Sequence, residues 1–117
     1  MRLLMRLLEL FEVRKLGPPY VSRDFNKVTI LYRAQPANDN VVKSMSYTTM
    51  LLGFARDHAV HMANTEEEKY HVVKIFARTS DVYHAKNPGE FYYNGPAKEG
   101  RSVFQARPGD EFYGHDE

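Results

Sequence analysis

The sequence contains no cysteine, which excludes disulfide bonds, thiolate metal sites, iron–sulfur clusters and a cysteine nucleophile. A cysteine-free chain favours a reducing, intracellular compartment. Tryptophan is also absent, whereas the chain has 8 tyrosines and 7 phenylalanines. Because tyrosine rings often lie partly buried against a partner, this composition favours a protein that forms interfaces.

Long apolar runs are missing as well. The leucine-rich start of the chain is interrupted by Arg6, Glu9 and Glu12, which argues against both a secretory signal and an acid-poor transit peptide. No stretch reaches the roughly 18 apolar residues typical of a membrane span. The net charge of +1 is too small to indicate general binding to nucleic acid. With 117 residues of ordinary globular composition, we expect a single domain.

Sequence motifs for catalysis and cofactor binding are absent. The chain has no Gly-x-Ser-x-Gly, no phosphate-binding loop and no Gly-x-Gly-x-x-Gly, so we predict no catalytic residue, no cofactor and no small-molecule substrate. Glu68 and His71 have the Glu-x-x-His spacing of helical metal sites, but such sites need a second pair and further glutamates. A histidine- or metal-dependent enzyme that uses His58, His61 and His71 is therefore the least favoured alternative.

Two segments resemble each other and suggest the architecture. Lys27-Val-Thr-Ile-Leu-Tyr-Arg33 and His71-Val-Val-Lys-Ile-Phe-Ala-Arg78 are short apolar runs that end in arginine. Apolar residues recur every three or four positions over 41–63, which predicts a helix between them. The pattern indicates a βαβ unit spanning 27–78 in a small mixed sheet, within an α+β domain that loosely resembles the ferredoxin-like fold. We expect Ile30, Leu52 and Ile75 in its core.

The two ends of the chain form separate regions of a single domain, 1–117. Residues 1–15 have one apolar stripe, which predicts an amphipathic helix that ends before Gly17-Pro18-Pro19. Residues 27–86 form the core, where 70–78 is read as a strand and a helix over 66–86 is the competing reading. The turn-rich, aromatic tail 87–117 predicts either a hairpin of strands 90–93 and 102–106 or an extended arm.

These observations predict a non-catalytic structural or adaptor subunit of a larger protein or ribonucleoprotein assembly. Its partners would be other protein subunits or a second copy of the chain, bound through the two terminal regions. The residues predicted to bind partners are Leu4, Leu8, Phe11, Phe91, Tyr92 and Phe112. The competing reading is that both terminal regions pack on the chain's own sheet.

An RNA-binding module is the alternative function. Arginines beside aromatic residues on an open sheet can hold phosphates while the rings stack on bases. Arg33 and Arg78 would lie at matching ends of neighbouring strands if the two similar strands were parallel. The residues predicted for this alternative are Arg14, Lys15, Arg23, Arg33 and Arg78.

Overall fold

The computed structural model describes residues 27–111, and the predicted N-terminal helix lies outside them. Within this range one α-helix and eight strands follow each other along the chain. The strands are β1 (Val28–Pro36), β2 (Val41–Val42), β3 (Ser46–Thr49), β4 (Tyr70–Arg78), β5 (Val82–His84), β6 (Glu90–Tyr93), β7 (Lys98–Glu99) and β8 (Arg101–Ala106). The helix α1 (Leu52–Glu66) connects β3 to β4, and a 3-10 turn (Thr79–Asp81) precedes β5.

Six strands form one sheet in the order β5-β6-β3-β1-β4-β8, and β2 pairs with β7 in a separate two-stranded ribbon. Every pairing in the described part is antiparallel. The α+β class is therefore confirmed, with a helix between strands. The two similar segments are neighbours, but Val28 faces Arg78 and Pro36 faces Tyr70. They form an antiparallel pair, and the expected parallel βαβ arrangement of 27–78 is wrong.

The helix is shorter than the sequence pattern predicts, because residues 41–49 form β2 and β3. Met45 has a φ of 69°, a left-handed conformation that an α-helix cannot contain. Its N–H donates to the carbonyl of Tyr93 at 2.7 Å, which anchors the turn into β3. The residues that follow, Tyr47, Thr48 and Thr49, have high strand propensity. The three- and four-residue spacing before Leu52 was therefore coincidental.

Helix α1 covers one face of the sheet, here called the helix face. Small side chains of the helix, Ala55, Ala59 and Ala63, let it lie close to the strands. They pack with Val60 against apolar residues of three neighbouring strands: Tyr32, Ala34, Tyr70, Val72, Phe104 and Ala106. Because these residues belong to β1, β4 and β8, the helix covers one half of this face and leaves the β3–β6–β5 half uncovered.

The β2–β7 ribbon belongs to the other side of the sheet, here called the ribbon face. Val42 of the ribbon is buried with side chains from four strands of the large sheet: Leu31, Val73, Ile75, Ala77, Val82, Phe91 and Tyr93. Gly100 follows the ribbon, and a Cβ added there would lie 2.1 Å from Cγ1 of Val73 and 2.8 Å from the carbonyl oxygen of Lys74. Only glycine permits this approach, so the position fixes the chain against β4.

The predicted strands 70–78 and 90–93 match β4 and β6, and 102–106 lies within β8. The expected hairpin is wrong, however, because β6 pairs with β3 and β5 whereas β8 pairs with β4 at the opposite edge of the sheet. The extended-arm reading fails for residues 90–106 for the same reason. No helix in the described part is long and apolar enough to cross a membrane.

The core predictions are correct at one position of three. Ile75 is buried, whereas Leu52 is half-buried at the start of α1 and Ile30 is exposed. The alternation along β1 was read correctly, but Leu31 rather than Ile30 lies in the ribbon-face core. Successive residues of a strand point to opposite faces of the sheet. The prediction assigned the buried side of β1 to the wrong face, and therefore placed Ile30 in the core instead of Leu31.

Candidate functional site

A cleft lies on the helix face at the border of the half that α1 covers. It has a volume of about 260 Å³ and is here called the tyrosine cleft. Helix α1 contributes Phe54 and His58 on one side, and β3 contributes Tyr47 and Thr49 on the other. Tyr32, Arg33, Ala34, Thr48, Ala55, Pro88, Gly89 and Glu90 complete the lining. The position of the cleft follows from the topology. Helix α1 comes directly after β3 in the chain but packs on β1 and β4, which leaves a gap between the helix and β3.

Tyr47 is the most prominent side chain of the cleft. It pairs with Tyr92 across β3 and β6, and the two ring centroids are 4.6 Å apart at an interplanar angle of 39°. The Tyr92 hydroxyl donates to the Tyr47 hydroxyl at 2.8 Å, which with burial raises the pKa of Tyr92 to about 12. Tyr47 is 51% exposed, and its own O–H is not the donor in this hydrogen bond. It can therefore donate a hydrogen bond to a molecule in the cleft.

Arg33 stabilises the same region from behind. Its Nη1 donates to the carbonyl of Tyr47 at 2.7 Å, and its Nε donates to Oε1 of Gln35 at 3.0 Å. Burial lowers the pKa of Arg33, while the nearby Asp39 acts in the opposite direction. The guanidinium group is thus committed to internal hydrogen bonds, which hold the backbone of β3 in place.

His58 and Glu90 supply the ionisable groups of the cleft. Burial lowers the pKa of His58, and the nearby His61 and Arg33 lower it further, whereas Glu90 raises it. His58 is therefore mainly neutral at pH 7 and can donate or accept a hydrogen bond. The cleft combines aromatic walls with a few polar groups, a composition suited to holding an apolar group whose polar end remains accessible.

The structure separates the three histidines that were considered as metal ligands. His58 and His61 lie on α1, whereas His71 lies on the ribbon face. The Nε2 of His71 donates to the carbonyl of Asp39 at 2.7 Å, and its Nδ1 is 3.0 Å from the Ser102 hydroxyl. Both ring nitrogens therefore have protein partners. Within residues 27–111 no three His, Asp or Glu side chains are grouped so that they could hold a metal ion.

The residues predicted to bind partners have different positions. Phe91 and Tyr92 are buried in the monomer: Phe91 belongs to the ribbon-face core, and Tyr92 supports Tyr47. Both are therefore core or supporting residues, because β6 is an inner strand and not part of an arm. Leu4, Leu8, Phe11 and Phe112 lie outside the described residues.

The residues of the RNA alternative are not brought together by β1 and β4. Because these strands are antiparallel, Arg33 faces Val73 whereas Arg78 faces Val28. Five residues of strand separate the two arginines, about 17 Å at 3.4 Å per residue. The expected arginine pair at matching strand ends is thus wrong. Arg14, Lys15 and Arg23 lie outside the described residues.

The cleft residues Tyr47, Thr49 and Phe54 were missed by sequence reasoning. A period of two through Ser46–Thr49 would have placed Tyr47 and Thr49 on one face of a strand, but the helical interpretation of 41–63 concealed it. The contribution of Glu90 depends on the pairing of β6 with β3, which has no local signal. No family model, curated protein or solved structure matches the chain.

Proposed function

We propose that the protein is a non-catalytic binding subunit of a larger assembly, and that it holds an apolar side chain of a partner polypeptide in the tyrosine cleft. The observation that carries this proposal is the exposure of Tyr47 beside a cavity that the side chains of residues 27–111 leave open. The subunit role is the one favoured by the sequence, but the binding surface proposed here is the cleft and not the terminal regions.

The size of the cleft supports a side chain as its occupant. Pockets for small molecules and cofactors usually measure about 300–1,000 Å³, whereas this cleft is about 260 Å³. One or two apolar side chains fill such a volume, while a nucleotide cofactor does not. Exposed aromatic residues at the edge of a pocket are typical of the positions that dominate binding energy in protein interfaces.

The polar groups of the cleft support a polypeptide in particular. The free hydroxyl proton of Tyr47 suits the carbonyl of a peptide bond, and Tyr92 holds the hydroxyl in place from below. Phe54 adds a half-exposed ring at the start of α1, next to Gly89. An inserted side chain would contact both rings, and its backbone would remain at the rim.

A titration followed by amide NMR tests the chemistry of the cleft. The probes are N-acetyl-phenylalanine amide and N-acetyl-leucine amide, which carry one side chain between two peptide groups. We expect saturable shifts confined to Tyr47, Thr49, Phe54 and His58, and a roughly tenfold or greater weakening in Tyr47→Ala, because such anchors contribute about 2 kcal/mol. Val103→Ala, an exposed apolar position on β8, is the control. Shifts that do not saturate, or that spread over the sheet, would contradict the proposal.

Photo-crosslinking in cells tests the role as a subunit. A benzoylphenylalanine at position 54 should form a crosslink to one polypeptide, and Tyr47→Ala should reduce its yield. The same group at position 103 should not form that crosslink. Equal yields at both positions, or a crosslink from position 54 to nucleic acid, would show that the cleft does not serve a protein partner.

A further inference from the structure

A second exposed region of the helix face lies at the end of β1 and β4 opposite to the end on which α1 packs. Within residues 27–111, the side chains of Val28, Ile30 and Phe76 are 60%, 38% and 53% exposed. Ile30 and Phe76 face each other across the two strands, and the alternation along β1 places Val28 on the same face. These three residues are here called the apolar strip. Adjacent apolar residues left exposed are typical of a binding surface.

Positively charged side chains surround the ring of Phe76. Lys74 and Arg78 each lie two residues from Phe76 on β4, which places them on the same face at about 7 Å along the strand. The Nζ atom of Lys74 is 5.2 Å from the centroid of the Phe76 ring. On the neighbouring strand β8, Arg101 faces Lys74 and is exposed. The exposed aromatic ring is therefore flanked by cations on its own strand and on the next.

An open groove of about 370 Å³ lies beside the ring, between β4 and the passage from β7 to β8. Lys74, Phe76 and Arg101 line it together with Lys98 and Glu99 of the ribbon. The Nζ of Lys98 donates to the carbonyl of Phe76, which holds this ammonium group at the edge of β4. Because an ammonium group has three protons, Lys98 can also donate to an anion. Three of the lining residues are cationic and one is a carboxylate, so the groove has a positive charge.

We propose that the apolar strip and this groove bind single-stranded nucleic acid, with a base stacked on the Phe76 ring. The phosphates on either side of that base contact Lys74 and Arg78. Arg101 and Lys98 hold a further phosphate in the groove. This surface is separate from the tyrosine cleft, and the inference does not depend on the function proposed for the cleft.

The chemistry of the surface favours a single strand over other anionic partners. Proteins that bind single strands combine cations that follow the backbone with aromatic side chains on which bases stack. An exposed aromatic residue on an open sheet is a common platform for unpaired bases, and Phe76 has a cation on each side along its strand. The bases of a duplex are already stacked on each other, so a duplex offers no base to this ring.

The positive charge is local to this surface. The net charge of the chain is only +1, yet Lys74, Arg78, Lys98 and Arg101 gather around Phe76. Of the residues predicted for RNA binding from the sequence, Arg78 belongs to this group. Arg33 does not, because its guanidinium group donates to the carbonyl of Tyr47 and to Gln35.

Fluorescence anisotropy tests the proposal with the full chain and a labelled oligouridylate of about twelve nucleotides, a length within the usual range of single-strand sites. We expect saturable binding at low salt. Each phosphate contact with a single strand contributes about −0.7 to the slope of log K against log salt concentration, so three or four contacts give a slope of about −2 to −3. An oligodeoxythymidylate of equal length distinguishes RNA from DNA as the ligand, and saturable binding of either supports the proposal.

The Phe76→Ala variant isolates the stacking contribution. Stacking on an aromatic side chain contributes about 1–3 kcal/mol per base, so we expect binding to weaken roughly five- to hundredfold while the salt slope stays unchanged. Phe54→Ala is the matched control, because Phe54 is also exposed, at 41%, but lies in the tyrosine cleft. Since both rings are exposed, circular dichroism should show that both variants remain folded.

The Arg78→Gln variant isolates a phosphate contact and should make the salt slope less negative by about 0.7. Arg107→Gln is its control, because Arg107 is exposed and follows the end of β8 that faces Tyr70. Tyr70 and Arg78 are eight residues apart on β4, about 27 Å. The control should therefore leave the slope unchanged.

Three results would overturn the proposal. The first is the absence of saturable binding to either oligonucleotide at low salt, and the second is an equal loss of binding in Phe76→Ala and Phe54→Ala. The third is saturable binding of phosphatidylserine-containing vesicles or of polyglutamate by a chain that does not bind the oligonucleotides. That result would assign the surface to a membrane or to an acidic polypeptide instead.

Discussion

Replacing Leu31 by alanine tests the ribbon-face core directly. Leu31 is fully buried, among Val73, Ile75 and Phe91. Removing a buried leucine side chain costs its transfer free energy plus a term for the cavity, together about 2–5 kcal/mol. A loss of about 3 kcal/mol lowers the melting temperature of a domain near this size by roughly 12–24 °C. It is also a large part of the about 5–15 kcal/mol that stabilises a typical domain.

Leu51→Ala is the matched control, because Leu51 is 53% exposed and loses the same atoms. A half-exposed leucine leaves much less apolar area to lose, so we expect a cost below about 1 kcal/mol. Urea unfolding of both variants, followed by circular dichroism, gives the two free energies. Equal costs would refute the reasoning, since a one-residue register shift of β1 would move Leu31 to the helix face and Ile30 into the core.

The remaining predictions concern titration of the cleft. Absorbance at 295 nm should show a tyrosine with a pKa of about 12, which disappears in Tyr92→Phe and moves down in Tyr47→Phe because its hydrogen-bond acceptor is lost. Since the folded pKa exceeds the unfolded value of about 10, the associated stability is present below pH 10 and is lost as the pH rises through 12. NMR titration should give His58 a pKa below its usual 6.5, and Glu90→Gln should lower it further; an increase would contradict the assigned proximity.

The prediction of strands depended on local composition and was accurate where that composition was uniform. Tyr70–Arg78 and Glu90–Tyr93 are runs of β-branched and aromatic residues between turn signals, and their limits follow from the chain itself. The helix was predicted less well, because a spacing of three and four before Leu52 imitates a helical face. The positive φ of Met45, between β2 and β3, rules out a continuous helix before Leu52.

The tyrosine cleft could not be predicted, because its residues meet through contacts that are distant in sequence. Tyr47 and Tyr92 are 45 positions apart in the chain, yet their hydroxyl groups are 2.8 Å apart. The sequence does contain the tyrosines, and their number indicated interfaces. Which of them is exposed depends on where α1 stops covering the sheet, and this is decided by the packing of Ala55 and Ala59 on β1 and β4.

The sequence by itself determined the α+β class, two complete strands and the alternation along β1, since propensity and turn chemistry act between near neighbours. The tertiary structure decided that β1 and β4 run antiparallel, that Leu31 rather than Ile30 is buried, and that β6 and β8 lie far apart in the sheet. Both faces of β1 carry apolar residues, because α1 covers one face and the ribbon the other. Alternation alone therefore could not tell which face is buried, and only the long-range pairing of strands fixed it.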